Sequence, residues 1–332
     1  MPAQPIRRRL VQGALAATAT SGLAAATLAQ AQTPASAYPG RPVKLVVPFP
    51  AGGATDLTAR LLAGKLAEAW GQPVLVENRP GASGMIGGEQ VARATPDGLT
   101  LLVTITTHIQ NPALFAKIPY DALKDFEPIS QICLSYLVLA VKPEFPARDV
   151  REFAALVKAN PGKYSFGTYG PGTSAHLQGE LLNLQTGIDL LHIPYQGAAP
   201  LVTAMLGGQL STAFMDAGSS RQHIPKFKVL GVTGSERLSW LPNVPTFKEQ
   251  GLNSYEPMGW FGLFLPGATS KPVVDKFSAE TQRILKLPDV REKIEAMGLI
   301  PGGETSDSFG KVMKSDADIY ARIIRDAKIT LN

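Results

Sequence analysis

The chain is short of cysteine: Cys133 is the only one in 332 residues. That excludes an intrachain disulfide and a thiolate-rich zinc or iron–sulfur centre built by one copy. Four histidines leave little material for an imidazole metal site. Charge is sparse at 18%, and the formal excess of +5 is concentrated at the N-terminus. Arg7, Arg8 and Arg9 precede an Ala-rich apolar stretch from Leu10 to Leu28, and Ala29-Gln30-Ala31 forms a small-x-small site. This pattern predicts a signal peptide over 1–31, cleaved after Ala31, with the general and twin-arginine routes both open. Removing it takes those three arginines and lowers the net charge from +5 to +2 over the remaining 301 residues. A near-neutral mature chain offers no basic footprint for nucleic acid or an anionic membrane. No later run reaches about 18 uninterrupted apolar residues, so no spanning helix is expected.

Several signatures are also missing. There is no GK[ST] phosphate loop, GxSxG elbow or HExxH, and the Gly-rich loops do not form GxGxxG. No catalytic residue, metal or cofactor is therefore expected. Cys133 has no histidine nearby in sequence and reads as core.

What is present is alternation. Apolar runs at 43–47, 73–77, 99–105, 136–141, 164–168, 189–193, 210–215, 228–233 and 260–265 are separated by amphipathic stretches. Many are β-branched and apolar on both parities, which predicts strands covered on both faces. Helices are expected from Asp56 to Trp70 (stripe Leu57, Leu61, Leu62, Leu66), Ser174 to Gln185 and Gly197 to Leu206. Three more pieces are expected between Lys271 and Asp326, broken near Pro288 and Pro301-Gly302-Gly303. This is an α/β fold with right-handed crossovers. No Gly/Ser or Pro-rich linker separates its halves. Two lobes joined by crossing strands fit, with 136–142 and 258–265 as hinge candidates.

Two loops stand out, each after a strand and before a helix. PFPAGGATD (48–56) turns on Gly52 and Gly53, with Thr55 or Asp56 as a cap. GTYGPGTSAH (167–176) brackets Tyr169 and Thr173 with glycines. A helix N-terminus carries spare N–H donors and a positive dipole end, so each loop suits a small anion. Thr106, Thr107 and His108 follow strand 99–105 at the same edge, and Asp216 follows strand 210–215. An acid at Asp216 repels a carboxylate but accepts from a hydroxyl or ammonium group. A third Gly-rich loop, 78–88, carries Arg79, which reads as structural; His192 does too, and Trp260 and Tyr195 are candidate cleft walls.

The ordered series YPGRPVKLVVPFPAGGATDLTARLLAGKL, VENRPGASGMIGGEQVARATPDGLTLL, YDALKDFEPIS, GTYGPGTSAHLQGELL, HIPYQGAAPLVTAMLGGQL, LPNVPTFKEQGL and WFGLFLPGATSKPVVDKF resembles the Bug, or TctC-type, periplasmic receptors of tripartite tricarboxylate transporters over essentially the whole mature chain. The resemblance implies a type II-like periplasmic-binding-protein fold, each lobe a mostly parallel sheet flanked by helices. Domain 1 would comprise 38–139 plus 262–332, and domain 2 residues 140–261. It implies a non-enzymatic, monomeric receptor that closes on a small organic carboxylate and delivers it to membrane permease subunits. A ligand-sensing receptor is the alternative, and an exported hydrolase a weaker one. Carried over by residue, the carboxylate contacts would be Phe49, Gly53, Ala54, Thr55 and Asp56 on one side. Tyr169, Gly172, Thr173, Ser174 and His176 lie on the other, with Thr106 and Asp216 nearby. Tyr169 stands where such receptors usually have a small residue, and HIPYQG replaces the more usual HVPYKG, removing one positive charge.

Overall fold

The computed structural model describes residues 39–255 and 259–331. The expected signal peptide, its cleavage point and Met258 of the second hinge candidate lie outside the described residues. Strand β1 (Val43–Val47) is the sequence VKLVV, buried at every position except Lys44. Helix α1 (Ala54–Trp70) follows and stops at Gly71, whose left-handed φ of 62° admits the N–H···O bond back to Ala67. Its buried face runs through Thr55, Ala59, Leu62, Ala63 and Leu66. Leu57, expected in that stripe, is 45% exposed. It sits two residues from Thr55, about 200° around the helix, and so faces solvent.

The chain continues through β2 (Val74–Asn78), α2 (Met85–Ala92), β3 (Thr100–Ile105), α3 (Thr107–Leu114) and β4 (Phe126–Ser135). It then passes into β5 (Leu137–Val141), α4 (Val150–Lys158), β6 (Ser165–Thr168), α5 (Ser174–Thr186), β7 (Leu191–Pro194), α6 (Ala198–Leu206), β8 (Thr212–Asp216) and β9 (Lys228–Val232). It returns as β10 (Gly259–Pro266), α7 (Lys271–Leu285), α8 (Pro288–Ala296), β11 (Ile300–Pro301) and α9 (Ser306–Asp326). The three-piece tail matches the breaks expected from Pro288 and Pro301-Gly302-Gly303.

Two sheets result. The first has the order β11-β4-β10-β3-β1-β2 and the second β7-β6-β8-β5-β9. Each reads second, first, third, crossing strand, fourth, the crossing strand being β10 in one and β5 in the other. This repeated order makes the fold two-lobed and type II-like. Pairing is parallel among β1, β2 and β3 and among β6, β7 and β8. It is antiparallel wherever a crossing strand takes part, because that strand enters from the opposite lobe.

Strand β4 was not visible as a run in the sequence. Its Pro128 lies opposite Phe264, where the register against β10 shifts. A proline is accommodated at such an irregularity because no ladder N–H is needed there. Cys133 sits within β4, fully buried, and burial pushes its thiol far above the ordinary range.

The change of sheet falls at Tyr136, between Ser135 and Leu137. Residues 137–139, placed with domain 1 by the sequence boundaries, are in the second sheet, and residues 259–261, placed with domain 2, are in the first. The reason is pairing: Leu137 and Leu139 lie opposite Asp216 and Phe214, and Gly259 lies opposite Ser135. Among the described residues, no helix is long and apolar enough to cross a membrane.

Candidate functional site

In both sheets the C-terminal ends of the parallel strands face one cavity of ≈ 250 Å³. Four helices begin at its wall: α1 with Ala54 and Thr55, α3 with Thr107, α5 with Ser174 and α6 with Ala198. The first N–H groups of a helix have no intrahelical partner, and the dipole end is positive. The cavity thus gathers fixed donors from both lobes. Among its described lining residues there is no Lys, Arg or His; Asp216 is the one acid.

The first loop is held from behind. Buried Asp56 does not line the cavity. Its Oδ2 accepts from Gly52 N–H at 2.9 Å and from Arg60 Nε at 2.9 Å, and its Oδ1 from Asn78 Nδ2 at 3.0 Å. Asn78 Nδ2 also donates to the Phe49 carbonyl at 3.1 Å. Burial alone would raise the Asp56 carboxyl, but the bonds from Arg60, Gly52 and Asn78 outweigh it and hold the carboxyl below the usual range. Asp56 thereby shapes the turn, while Gly52 supplies its φ of 82°. Asp56→Asn is expected to lower stability by about 2 kcal/mol at neutral pH. Because the folded-state carboxyl is depressed, this loss should shrink as pH falls through the folded-state value, which paired urea melts would show.

The second loop has a similar prop. His176 Nδ1 accepts from Gly172 N–H at 3.1 Å, and its ring stacks on His192 at 3.8 Å between centroids. His192 in turn contacts Thr168 Oγ1 at 2.7 Å. Burial, then the neighbouring His176, lowers His192 to about 4. Gly172 packs against Leu331 and Leu114 from the first lobe. Tyr169 lines the cavity, and burial and then the nearby Asp216 push its hydroxyl well up.

Of the twelve residues carried over from the resemblance, Ala54, Thr55, Thr106, Tyr169, Thr173, Ser174 and Asp216 line the cavity. Phe49, Gly53, Asp56, Gly172 and His176 do not; they build the loops that hold it. His108 is buried among Tyr120, Phe126 and Phe264, bonded to the Ala122 carbonyl at 3.0 Å, and burial drops it to about 4. Arg79 pairs with Glu77. Trp260 is in the wall and Tyr195 is not. The sequence gives a helix from Gly197 but does not assign its Gly197-Ala198 start to the site, nor Ser135, Leu137, Met297 and Leu299. The G-A-A-P-L segment at 197–201 was a legible helix start; the others depend on strand order.

Asp216 Oδ1 accepts from Ser219 N–H at 2.7 Å; burial nonetheless raises the carboxyl. Behind the wall, Thr106 Oγ1 accepts from Trp260 N–H at 2.8 Å and Trp260 Nε1–H donates to Asp316 Oδ2 at 3.2 Å. Burial raises Asp316 to about 7, against the smaller opposing effect of that bond. The folded state then binds the Asp316 proton more tightly than the unfolded chain, and the stability this confers fades between about pH 4 and 7. Asp316→Asn should remove that slope, so that variant-minus-wild-type stability climbs by up to about 4 kcal/mol across the window, read from urea melts at each pH.

The lobes touch on both sides of the cavity. Gln110 Nε2 donates to Ser174 Oγ at 2.9 Å, and Arg221 Nη1 to the Glu295 carbonyl at 3.1 Å. Gly218 and Gly298 meet backbone to backbone: a Cβ on Gly218 would lie 2.5 Å from the Gly298 oxygen.

The family model described as tripartite tricarboxylate transporter family receptor matches residues 58–329. The UPF0065 protein of the tcbD-tcbE intergenic region in Pseudomonas sp. strain P51 is 35% identical over 329 residues, covering 98% of this chain and 96% of that one. The periplasmic binding protein BugD is 34% identical in its solved structure, with a TM-score of 0.73, covering 89% of this chain and all of BugD. MatC from Rhodopseudomonas palustris, solved with bound malate, is 31% identical with a TM-score of 0.72, covering 86% of this chain and all of MatC.

Proposed function

The chain belongs to the family of tripartite tricarboxylate transporter receptors, and from that premise we propose that it is a periplasmic receptor which binds a small organic carboxylate between its lobes and delivers it to membrane permease subunits. The observation that carries this reading is the convergence of the α1 and α5 N-termini, one from each lobe, on one cavity whose described lining residues include no basic side chain. A carboxylate there exchanges water for pre-organised N–H donors, and charge-assisted bonds are the stronger ones. Thr55 and Ser174 present the donors; Asp56 and His176 hold their loops in place. Lobe closure then buries the ligand and creates the surface a permease reads. The relatives support the ligand class, since MatC is solved with malate.

A thermal-shift screen of ligand-stripped mature protein against small organic acids tests the reading. Binding to the native state alone raises stability by about 2.7 kcal/mol at a hundredfold excess over Kd. At least one acid should shift the midpoint; a flat response to every acid, beside a shift with neutral or cationic solutes, would overturn the carboxylate assignment.

A further inference from the structure

The cavity has two chemically different ends, and the sheet orders assign each residue to one of them. Along the cleft edge of the first lobe the order is the α1 start, the β3 end with Ile105, the β10 start with Phe261, the β4 end with Ser135, and then Leu299 beside β11. Along the second lobe it is the α6 start, the α5 start, Asp216 at the β8 end, and Leu137 at the β5 start. The helix N-termini of α1, α5 and α6 therefore share one end. Leu137, Leu299, Met297 and Asp216 share the other, against the Tyr136 crossing.

Among the described residues lining that second end there is no cation. A carboxylate placed there would lose its water against apolar side chains and meet Asp216, and an uncompensated buried charge is strongly disfavoured. An apolar group placed there is favoured by burial. The neutral polar group at that end is the Ser135 hydroxyl, which is buried and without a hydrogen-bond partner. At ≈ 250 Å³ the space sits just under the usual range for ligand pockets, which limits the ligand to a small one.

We propose that this receptor is selective for monocarboxylates with an apolar or aromatic body, bearing at most neutral hydrogen-bonding substituents, and that it discriminates against di- and tricarboxylates. The inference rests on the receptor reading above and narrows its substrate class. The carboxylate lies at the α1 and α5 starts; the body lies along Ile105 and Phe261 and ends against Leu137 and Leu299.

Calorimetric titration of ligand-stripped protein with phenylacetate, hexanoate, malate and citrate tests it. Phenylacetate or hexanoate should bind at least tenfold more tightly than either polyacid. A polyacid binding as tightly or more tightly overturns the selectivity while leaving the receptor reading standing. Failure of all four, in a preparation whose thermal-shift screen also finds no acid, overturns both. Leu299→Lys adds a cation at the apolar end and should move the phenylacetate-to-malate affinity ratio at least tenfold toward malate. An unchanged ratio in a folded variant contradicts the placement of that end.

Discussion

Gly218→Ala is expected to weaken ligand binding roughly 5- to 150-fold while leaving the melting temperature of the ligand-free protein nearly unchanged. The added methyl would stand 2.5 Å from the Gly298 carbonyl oxygen and 2.8 Å from its carbon. Both atoms are backbone, so neither can swing aside as a side chain would. The two glycines belong to different lobes, one after β8 and the other after α8. The clash is relieved by parting the lobes, not by unfolding either one. Overpacking of this kind costs roughly 1–3 kcal/mol, and a ligand that needs the closed state loses affinity by the fraction of closed protein. Titration calorimetry reads the affinity. Small-angle scattering should show the variant keeping its ligand-free radius of gyration at ligand concentrations that compact the wild type. Wild-type affinity in the variant would mean that the Gly218–Gly298 contact is not part of the bound state.

Gly53→Asp should produce the larger loss, about 100-fold or more, with stability unchanged or slightly higher. Gly53 caps α1 in extended backbone (φ −76°, ψ 165°), and a Cβ there meets only the Pro50 oxygen, at 3.5 Å. Aspartate therefore fits, and it is a better helix cap than glycine by a few tenths of a kcal/mol. Its charge, however, stands at the donors proposed for the carboxylate. Two like charges about 5 Å apart at an effective dielectric of about 20 repel by about 3 kcal/mol. Gly53→Asn serves as the control, capping equally well without the charge. Matched losses in the two variants would assign the effect to loop shape instead of charge.

The sequence made some parts of this molecule readable because their causes are local. Strand β1 is a β-branched run between Pro42 and the Gly52-Gly53 turn, and α7, α8 and α9 are separated by prolines and glycines that stop helices wherever they occur. The two Gly-rich loops were legible as strand-to-helix turns for the same reason, since a strand, a turn and a helix start follow one another in the chain. Strand β4 was hidden by Glu127, Pro128 and Gln131; its partner β10 is more than a hundred residues away and supplies the irregularity that admits the proline. The hinge end of the cavity was equally hidden. Leu137 and Leu299 are unremarkable in sequence and become neighbours of Asp216 only because β10 inserts between β3 and β4, and β5 between β8 and β9. Asp56 shows the converse. Its position at a helix start suits a ligand contact, but the bonds from Gly52, Arg60 and Asn78 that hold its carboxylate are visible only in three dimensions. Which apolar residues form a stripe can be read along one helix; which polar residues face a cavity depends on what comes from the opposite lobe.

The most direct test of the account compares an acid with its own primary amide. The acid that stabilises the ligand-stripped protein most, and the amide of identical shape, are titrated calorimetrically at pH 7. If donors fixed at the α1 and α5 N-termini recognise the charge, as proposed, the acid should bind and the amide should lose at least 100-fold in affinity. Equal affinities for the pair would contradict the central claim, because a cavity that reads only shape has no use for four helix N-termini.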